Sequence, residues 1–156
     1  MIVTPQQEKQ YGIKSFILKY KCASPPPDKW LTSPEEVVKT TRALFDTLDG
    51  GASVEHFGVW FLNVQNQIIG FKAFNTGTVD QVAAYPRLII HTALMLSASG
   101  LVLVHNHPSG EITPSEEDKR LTFSLQSAAK LFDIRIADHV IIGANAHYSF
   151  VQMGLI

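Results

Sequence analysis

Leu101-Val102-Leu103-Val104-His105-Asn106-His107-Pro108-Ser109-Gly110-Glu111-Ile112-Thr113-Pro114-Ser115-Glu116-Glu117-Asp118 holds a strand, a turn and a helix start in one continuous run. Its first four residues are apolar without alternation, which is how a strand covered on both faces looks, so residues 101–104 are expected in the middle of a sheet. Ligands in α/β folds gather at the ends of such strands, and this strand runs directly into two histidines. Residues two apart in an extended chain point to the same side, so His105 and His107 can converge on one point with about 7 Å of backbone between them. Pro108, Gly110 and Pro114 then force a turn. Ser115 opens a helix whose first turn carries Asp118, and a carboxylate there can swing back toward the strand end.

Two imidazole nitrogens and one carboxylate oxygen leave one open position on a tetrahedral zinc, the arrangement of a catalytic rather than a structural site. Zinc lowers the pKa of a bound water to about 7, and a nearby carboxylate is then required as general base. Each part also has a plainer reading. Ser115-x-x-Asp118 is a capping box, and His105 alone reads as a core histidine. The conjunction points to a metal: two histidines of the same parity, a Pro/Gly turn, and a carboxylate facing them from a helix start.

Outward from this stretch the chain alternates helices and strands. Ser33-Pro34-Glu35-Glu36 places Ser at the cap, Pro at the first helical position and Glu three residues after the cap, which predicts a helix to about residue 48, ended by Asp49-Gly50-Gly51. Residues 55–64 and 67–74 are β-rich runs divided by Gln65-Asn66 and read as a hairpin. Pro86 opens a second helix, with Leu88, Ile89, Ala93 and Leu96 on its buried side, His91 near it, and Gly100 as its stop. A third helix is expected from Ser115 to about residue 131. Residues 134–142 and 147–151 read as closing strands around the Gly143-Ala144-Asn145 turn. This order predicts an α/β sandwich built on a single mixed sheet.

Residues 1–32 differ from the rest. A polar start and an apolar-alternating stretch over 13–22 lead to Pro25-Pro26-Pro27, which can enter neither a helix nor a ladder. An N-terminal arm or edge segment over 1–32 is therefore expected before a domain over 33–156. At 156 residues the chain can bury about two-thirds of the surface its unfolded form exposes. With 46% hydrophobic and 17% charged residues, it is expected to form a packed core. Thirteen Lys+Arg against 14 Asp+Glu give a net charge of -1, so no global positive field attracts phosphate backbones. The densest basic stretch, from Lys14 to Lys21, interleaves Phe16, Ile17, Leu18 and Tyr20 and reads as a strand with a solvated face. Cys22 is the sole cysteine, which excludes a disulfide framework and a thiolate zinc cluster and fits a reducing cytosol. The polar N-terminus and the lack of a membrane-length apolar run predict a soluble, cytoplasmic protein with no membrane partner.

His-x-His-Pro, with seven residues between the second His and Ser115 and two more before Asp118, is the JAMM motif. The wording His-Asn-His-Pro-Ser-Gly, together with Thr-Pro-Ser, Tyr85-Pro86-Arg87 and Asp138-His139-Val140-Ile141-Ile142-Gly143, resembles the RadC family of the JAMM/MPN (JAB) zinc metalloprotease superfamily over about residues 34–156. The resemblance implies a cytidine-deaminase-like α/β fold, zinc on His105, His107 and Asp118, and a catalytic glutamate at the start of the first core strand. That glutamate falls on Glu55, in Glu55-His56-Phe57. It also implies that Ser115 stabilises a tetrahedral intermediate by hydrogen bonding, a role that competes with helix capping for one oxygen. Two positions depart from the family: residues 1–32 are too short for its N-terminal helix-hairpin-helix region, and Leu88 stands where a glutamate usually follows the Pro-Arg pair. His56, His91, His139 and His147 have no paired spacing for a second metal and are expected to be structural. His139, beside Asp138 in the matching segment, is the one expected to support the ligands.

The expected activity is hydrolysis of an amide bond in an unidentified peptide or protein by zinc-activated water. Two further readings stay open. One is a DNA-repair-associated accessory or DNA-binding protein, against which the near-neutral charge and the missing helix-hairpin-helix region weigh; the other is a metal-binding scaffold without activity. A nuclease of the His-Asn-His kind fails on spacing, and a zinc deaminase is excluded by the lone cysteine.

Overall fold

In the computed structural model, which describes Trp30, Leu31 and residues 33–76 and 86–156, one sheet of five strands is flanked by helices on both faces. The strands are β1 (His56–Leu62), β2 (Ile68–Thr76), β3 (Gly100–Asn106), β4 (Arg135–Ile142) and β5 (His147–Ser149), in the order β2-β1-β3-β4-β5. The α-helices among the described residues are α1 (Pro34–Phe45), α2 (Pro86–Met95) and α3 (Glu116–Lys130). β3 pairs with β4 in parallel, and the other pairings are antiparallel. The predicted mixed α/β sandwich is the architecture found.

Residues 101–104 are central, as their unbroken apolar run predicts, and every residue of β3 is buried. Alternation along the strand divides them between two cores. Leu101 and Leu103 join Phe57, Val59 and Phe61 against Ile89 and Ala93 of α2 and Leu125 and Ala129 of α3. Val102 and Val104 join Trp60, Leu62, Val140 and Ile142 against Val37 and Phe45 of α1. Each of the buried Val, Leu, Ile and Phe side chains contributes about 1.5–3 kcal/mol by leaving water. The polar end of Trp60 is satisfied inside this second core, its indole N–H donating to the Thr41 hydroxyl at 2.9 Å.

Several boundaries differ from expectation. α1 ends at Phe45 rather than near residue 48, because the chain tightens into three-residue turns (Thr47 N–H to Leu44 O, Leu48 N–H to Phe45 O) before Gly50 at φ +83°. A Cβ on Gly50 would stand 2.3 Å from Val54 Cγ2, so this turn requires glycine. α2 ends at Met95; Ser97 takes the left-handed conformation and Gly100 is the first residue of β3, not the helix stop. The buried side of α2 is Ile89, Ile90, Thr92 and Ala93, whereas Leu88 and His91 are exposed. The hairpin is present with a longer connection, organised by Asn63, whose Oδ1 accepts from the Gln65 and Gln67 amides. α3 begins after Ser115 and ends before residue 131, as predicted. The expected arm over residues 1–32 lies outside the described residues except for Trp30 and Leu31, of which Trp30 forms an isolated antiparallel bridge to Gln67. No described helix is long and apolar enough to cross a membrane.

The strand directions gather separate segments of the chain at one edge of the sheet. β3 and β4 run in parallel and finish there together; β1 runs against β3, with Phe57 opposite His105, so its start meets their ends. The N-terminus of α3 arrives at the same edge.

Candidate metal centre

His105 lies near the end of β3 with only 1% of its surface exposed. His107 is just past the strand, where its N–H donates to Ile142 O at 3.0 Å and prolongs the parallel ladder by one bond. The loop then turns on itself through Gly110 N–H to His107 O at 2.9 Å and packs over the end of β4. A Cβ on Gly143 would lie 2.7 Å from Gly110 O and 2.6 Å from Ile112 Cγ2, so glycine at 143 is what lets the loop come this close.

Four side chains converge at this edge. His105 Nε2 and His107 Nε2 are 2.9 Å apart, His105 Nε2 is 3.2 Å from Asp118 Oδ1, and His107 Nε2 is 3.9 Å from Asp118 Oδ2. Glu55, one residue before β1, completes a group with the two histidines in which one ligand atom from each lies within 4.8 Å of the others. Zinc–ligand bonds of 2.0–2.1 Å in tetrahedral array put ligand atoms about 3.3 Å from one another. The separations among His105, His107 and Asp118 bracket that value, and their N, N, O donor set suits the ion.

The loop fixes the protonation of His107. Its Nδ1 lies 2.6 Å from Glu111 O, and because a carbonyl can only accept, the proton is on Nδ1 and the lone pair on Nε2 faces the other donors. Glu111 is held in turn by Thr113, whose hydroxyl and N–H donate to its carboxylate and keep its pKa below the ordinary glutamate range.

Asp118 divides its two oxygens. Oδ2 accepts from Ser115 N–H at 2.8 Å and Ser115 Oγ–H at 2.7 Å, while the Asp118 N–H donates to Ser115 Oγ at 3.1 Å. This is the capping box read from the sequence. Oδ1 remains for His105, so the cap and ligand readings of this carboxylate are compatible. Burial opposes ionisation of Asp118, but the hydrogen bond and charge of His105 and the two Ser115 donors outweigh it and hold the carboxyl well below the usual range. The Ser115 hydroxyl proton is committed to Asp118, so donating it to a substrate oxygen would require releasing that bond.

Three supporting residues stand behind these groups. Asn106, only 7% exposed, accepts from His56 N–H at 2.8 Å through Oδ1 and donates to Val54 O at 2.9 Å and Ala52 O at 3.4 Å through Nδ2. Its amide thereby clamps the backbone on both sides of Glu55. His139 is fully buried, with Nε2 2.8 Å from His105 Nδ1 and Nδ1 2.6 Å from Thr122 Oγ1. Burial above all pushes the His139 pKa well below 6.5. Sequence reasoning marked His139 but missed Asn106 and Thr122; a polar residue between two histidines at a buried strand end was the available signal for the first. The other histidines stand apart from the centre: His56 is buried with Nε2 on Gly51 O, His91 is exposed, and His147 faces Glu35 at 3.7 Å. A cleft of about 190 Å³ opens beside His107, walled by Arg42, Phe45, Asp46, Pro108 and Ala144.

The family model for the RadC-like JAB domain matches residues 31–155. The chain is 42% identical over 132 residues to the UPF0758 protein YeeS of Escherichia coli K12, covering 83% of this chain and 89% of that one. It is 39% identical over 132 residues to YkfG of the same organism, covering 83% and 84%. Against a longer UPF0758 protein of Pseudomonas fluorescens it is 37% identical over 125 residues, 77% of this chain and 55% of that one.

Proposed function

As the chain belongs to the RadC-like JAB domain family, we propose that it is a zinc-dependent hydrolase that cleaves an amide bond in a peptide or protein. The observation that carries this reading is the convergence of His105, His107 and Asp118 at 2.9–3.9 Å with the Glu55 carboxylate beside the two imidazoles. His105 Nε2, His107 Nε2 and Asp118 Oδ1 would hold the ion. Zinc bound there supplies Lewis acidity toward a carbonyl oxygen and lowers the pKa of water.

The chain's own residues do the rest. Glu55 takes a proton from the attacking water as the water oxygen bonds to the carbonyl carbon. It then delivers that proton to the amide nitrogen as the C–N bond breaks, leaving a carboxylic acid and an amine. Asn106 keeps Glu55 in reach by holding Val54 O and His56 N–H. Ser115 keeps Asp118 in place through Oδ2. The cleft beside His107 receives a flanking residue of the substrate, with Phe45 as an apolar wall and Arg42 and Asp46 as polar ones.

The test combines elemental analysis with cleavage of an unbiased peptide library. One zinc per chain is expected in the wild type and in Glu55→Gln and none in His107→Ala, with cleavage by the wild type and a loss of the order of 10²–10⁴-fold in Glu55→Gln. Full zinc occupancy in His107→Ala, or unchanged cleavage by Glu55→Gln, overturns the proposal.

A further inference from the structure

A chain of short hydrogen bonds runs from one candidate ligand to another through the interior. Asp118 O lies 2.6 Å from Thr122 Oγ1, which lies 2.6 Å from His139 Nδ1; His139 Nε2 lies 2.8 Å from His105 Nδ1, and His105 Nε2 returns to Asp118 Oδ1 at 3.2 Å. The circuit ties the end of β3 to the first turn of α3 by way of β4.

The protons in this circuit can be assigned. Each heavy-atom contact of 2.6–2.8 Å requires one proton between its atoms, since two lone pairs do not approach so closely. A carbonyl carries no proton, so the Thr122 hydroxyl proton points at Asp118 O. Thr122 has no second proton to offer, so His139 carries its proton on Nδ1 and points it at Thr122. The His139 ring is fully buried between Phe57 and Phe150, and with its proton on Nδ1 it turns Nε2 to His105 as an acceptor. The proton on the last contact therefore belongs to His105 Nδ1. The ring of His139 is not free to turn out of this arrangement, stacked at 4.6 Å on Phe150 and meeting Phe57 edge-on at 6.1 Å.

We propose that Thr122 and His139 are positioning residues that keep a proton on His105 Nδ1, so that Nε2, which faces His107 Nε2 and Asp118 Oδ1, is the atom presented to the metal. The inference rests on the zinc reading above and deepens it. Glu111 O holds a proton on His107 Nδ1 from the loop side in the same way. Both imidazoles thus face the site through Nε2, one fixed by a main-chain carbonyl and the other by a buried relay anchored on the same helix as the third ligand. Neither Thr122 nor His139 touches the reacting atoms.

The test uses Thr122→Val, which keeps the shape and removes the hydroxyl, and Thr122→Ser, which restores the hydroxyl. In zinc-free wild type, long-range nitrogen–proton correlation spectra of the histidine rings are expected to show the proton of His139 on Nδ1 and a protonated Nδ1 on His105. Thr122→Val should lose the single His139 tautomer and bind zinc 10–100-fold more weakly in competition with a chromophoric chelator, the usual cost of losing a partner behind a metal ligand. Thr122→Ser should restore both. An Nε2–H tautomer of His139 in the wild type, or a Thr122→Val variant with unchanged spectra and unchanged zinc affinity, overturns the proposal. Wild-type protein that binds no zinc would instead sink the functional reading, and the ring spectra of the zinc-free protein would still decide the relay.

Discussion

Replacing Asn106 by Ala removes the clamp that holds the segment carrying Glu55. The amide makes two good hydrogen bonds, to His56 N–H at 2.8 Å and Val54 O at 2.9 Å, and a weak third to Ala52 O at 3.4 Å. His56 is fully buried, so its N–H loses its partner where water does not reach; the Val54 carbonyl is only partly covered. An unsatisfied buried polar group costs about 1–3 kcal/mol, and with the partly wet carbonyl at the lower end the variant should lose about 2–4 kcal/mol. For a chain of this size 1 kcal/mol shifts the melting temperature by about 2–4 °C, which places the fall in Tm at roughly 5–15 °C. Urea unfolding of the zinc-free protein, followed by tryptophan fluorescence that includes buried Trp60, measures the loss. Because Asn106 touches none of the candidate ligand side chains, zinc stoichiometry should stay at one while turnover falls with the misplacement of Glu55. A change below about 0.5 kcal/mol, the size of an ordinary surface substitution, would refute the clamp. So would loss of zinc from a folded variant.

Two other perturbations bear on the same site. Ser115→Ala should cost about 1 kcal/mol of stability through the lost cap and also weaken zinc binding, since Asp118 Oδ2 loses a hydrogen bond; Ser115→Thr should recover both, and a variant with stability unchanged would contradict the capping geometry. Burial lowers the His139 pKa, so below pH 6.5 the unfolded chain binds a proton that the folded chain refuses. The stability contributed by this neutral histidine is complete above that pH and is lost as pH falls beneath it, by up to about 1.4 kcal/mol per pH unit. Urea midpoints of zinc-free protein measured from pH 7.5 down to 5.5 should track this fall, and a profile that is flat for the wild type would count against a buried neutral His139.

What was legible in the sequence was the chemistry that local spacing controls. The unbroken apolar run of residues 101–104 read as a strand covered on both sides, and Ser115 with Asp118 three residues on read as a helix start. His105 and His107 were readable because parity in an extended chain is a two-residue property. Glu55 was not readable that way: its place beside the histidines depends on β1 lying antiparallel to β3 with Phe57 opposite His105, and the family resemblance supplied what spacing could not. Thr122 and His139 are 17 residues apart and meet only when α3 folds back over β4. The exposed flank of α2 was misread because Leu88, Ile89 and Ile90 are all apolar, and periodicity cannot choose a buried side when consecutive residues qualify equally.

The division of labour within Asp118 affects how related chains should be judged. Ser115, Asp118 and Asn106 each have a structural occupation that continues without any chemistry: the first two cap α3, and the third ties the end of β3 to the start of β1. A relative without the proposed reaction would still need all three for its fold, so finding them in a paralogue says little about whether it is an enzyme. Among the described residues Glu55 makes no hydrogen bond or ion pair, and outside the centre itself the His107 ring bonds there only to a loop carbonyl. If the proposed reaction holds, these two answer to it more than to the architecture, and they are the first letters that an idle copy would be free to change.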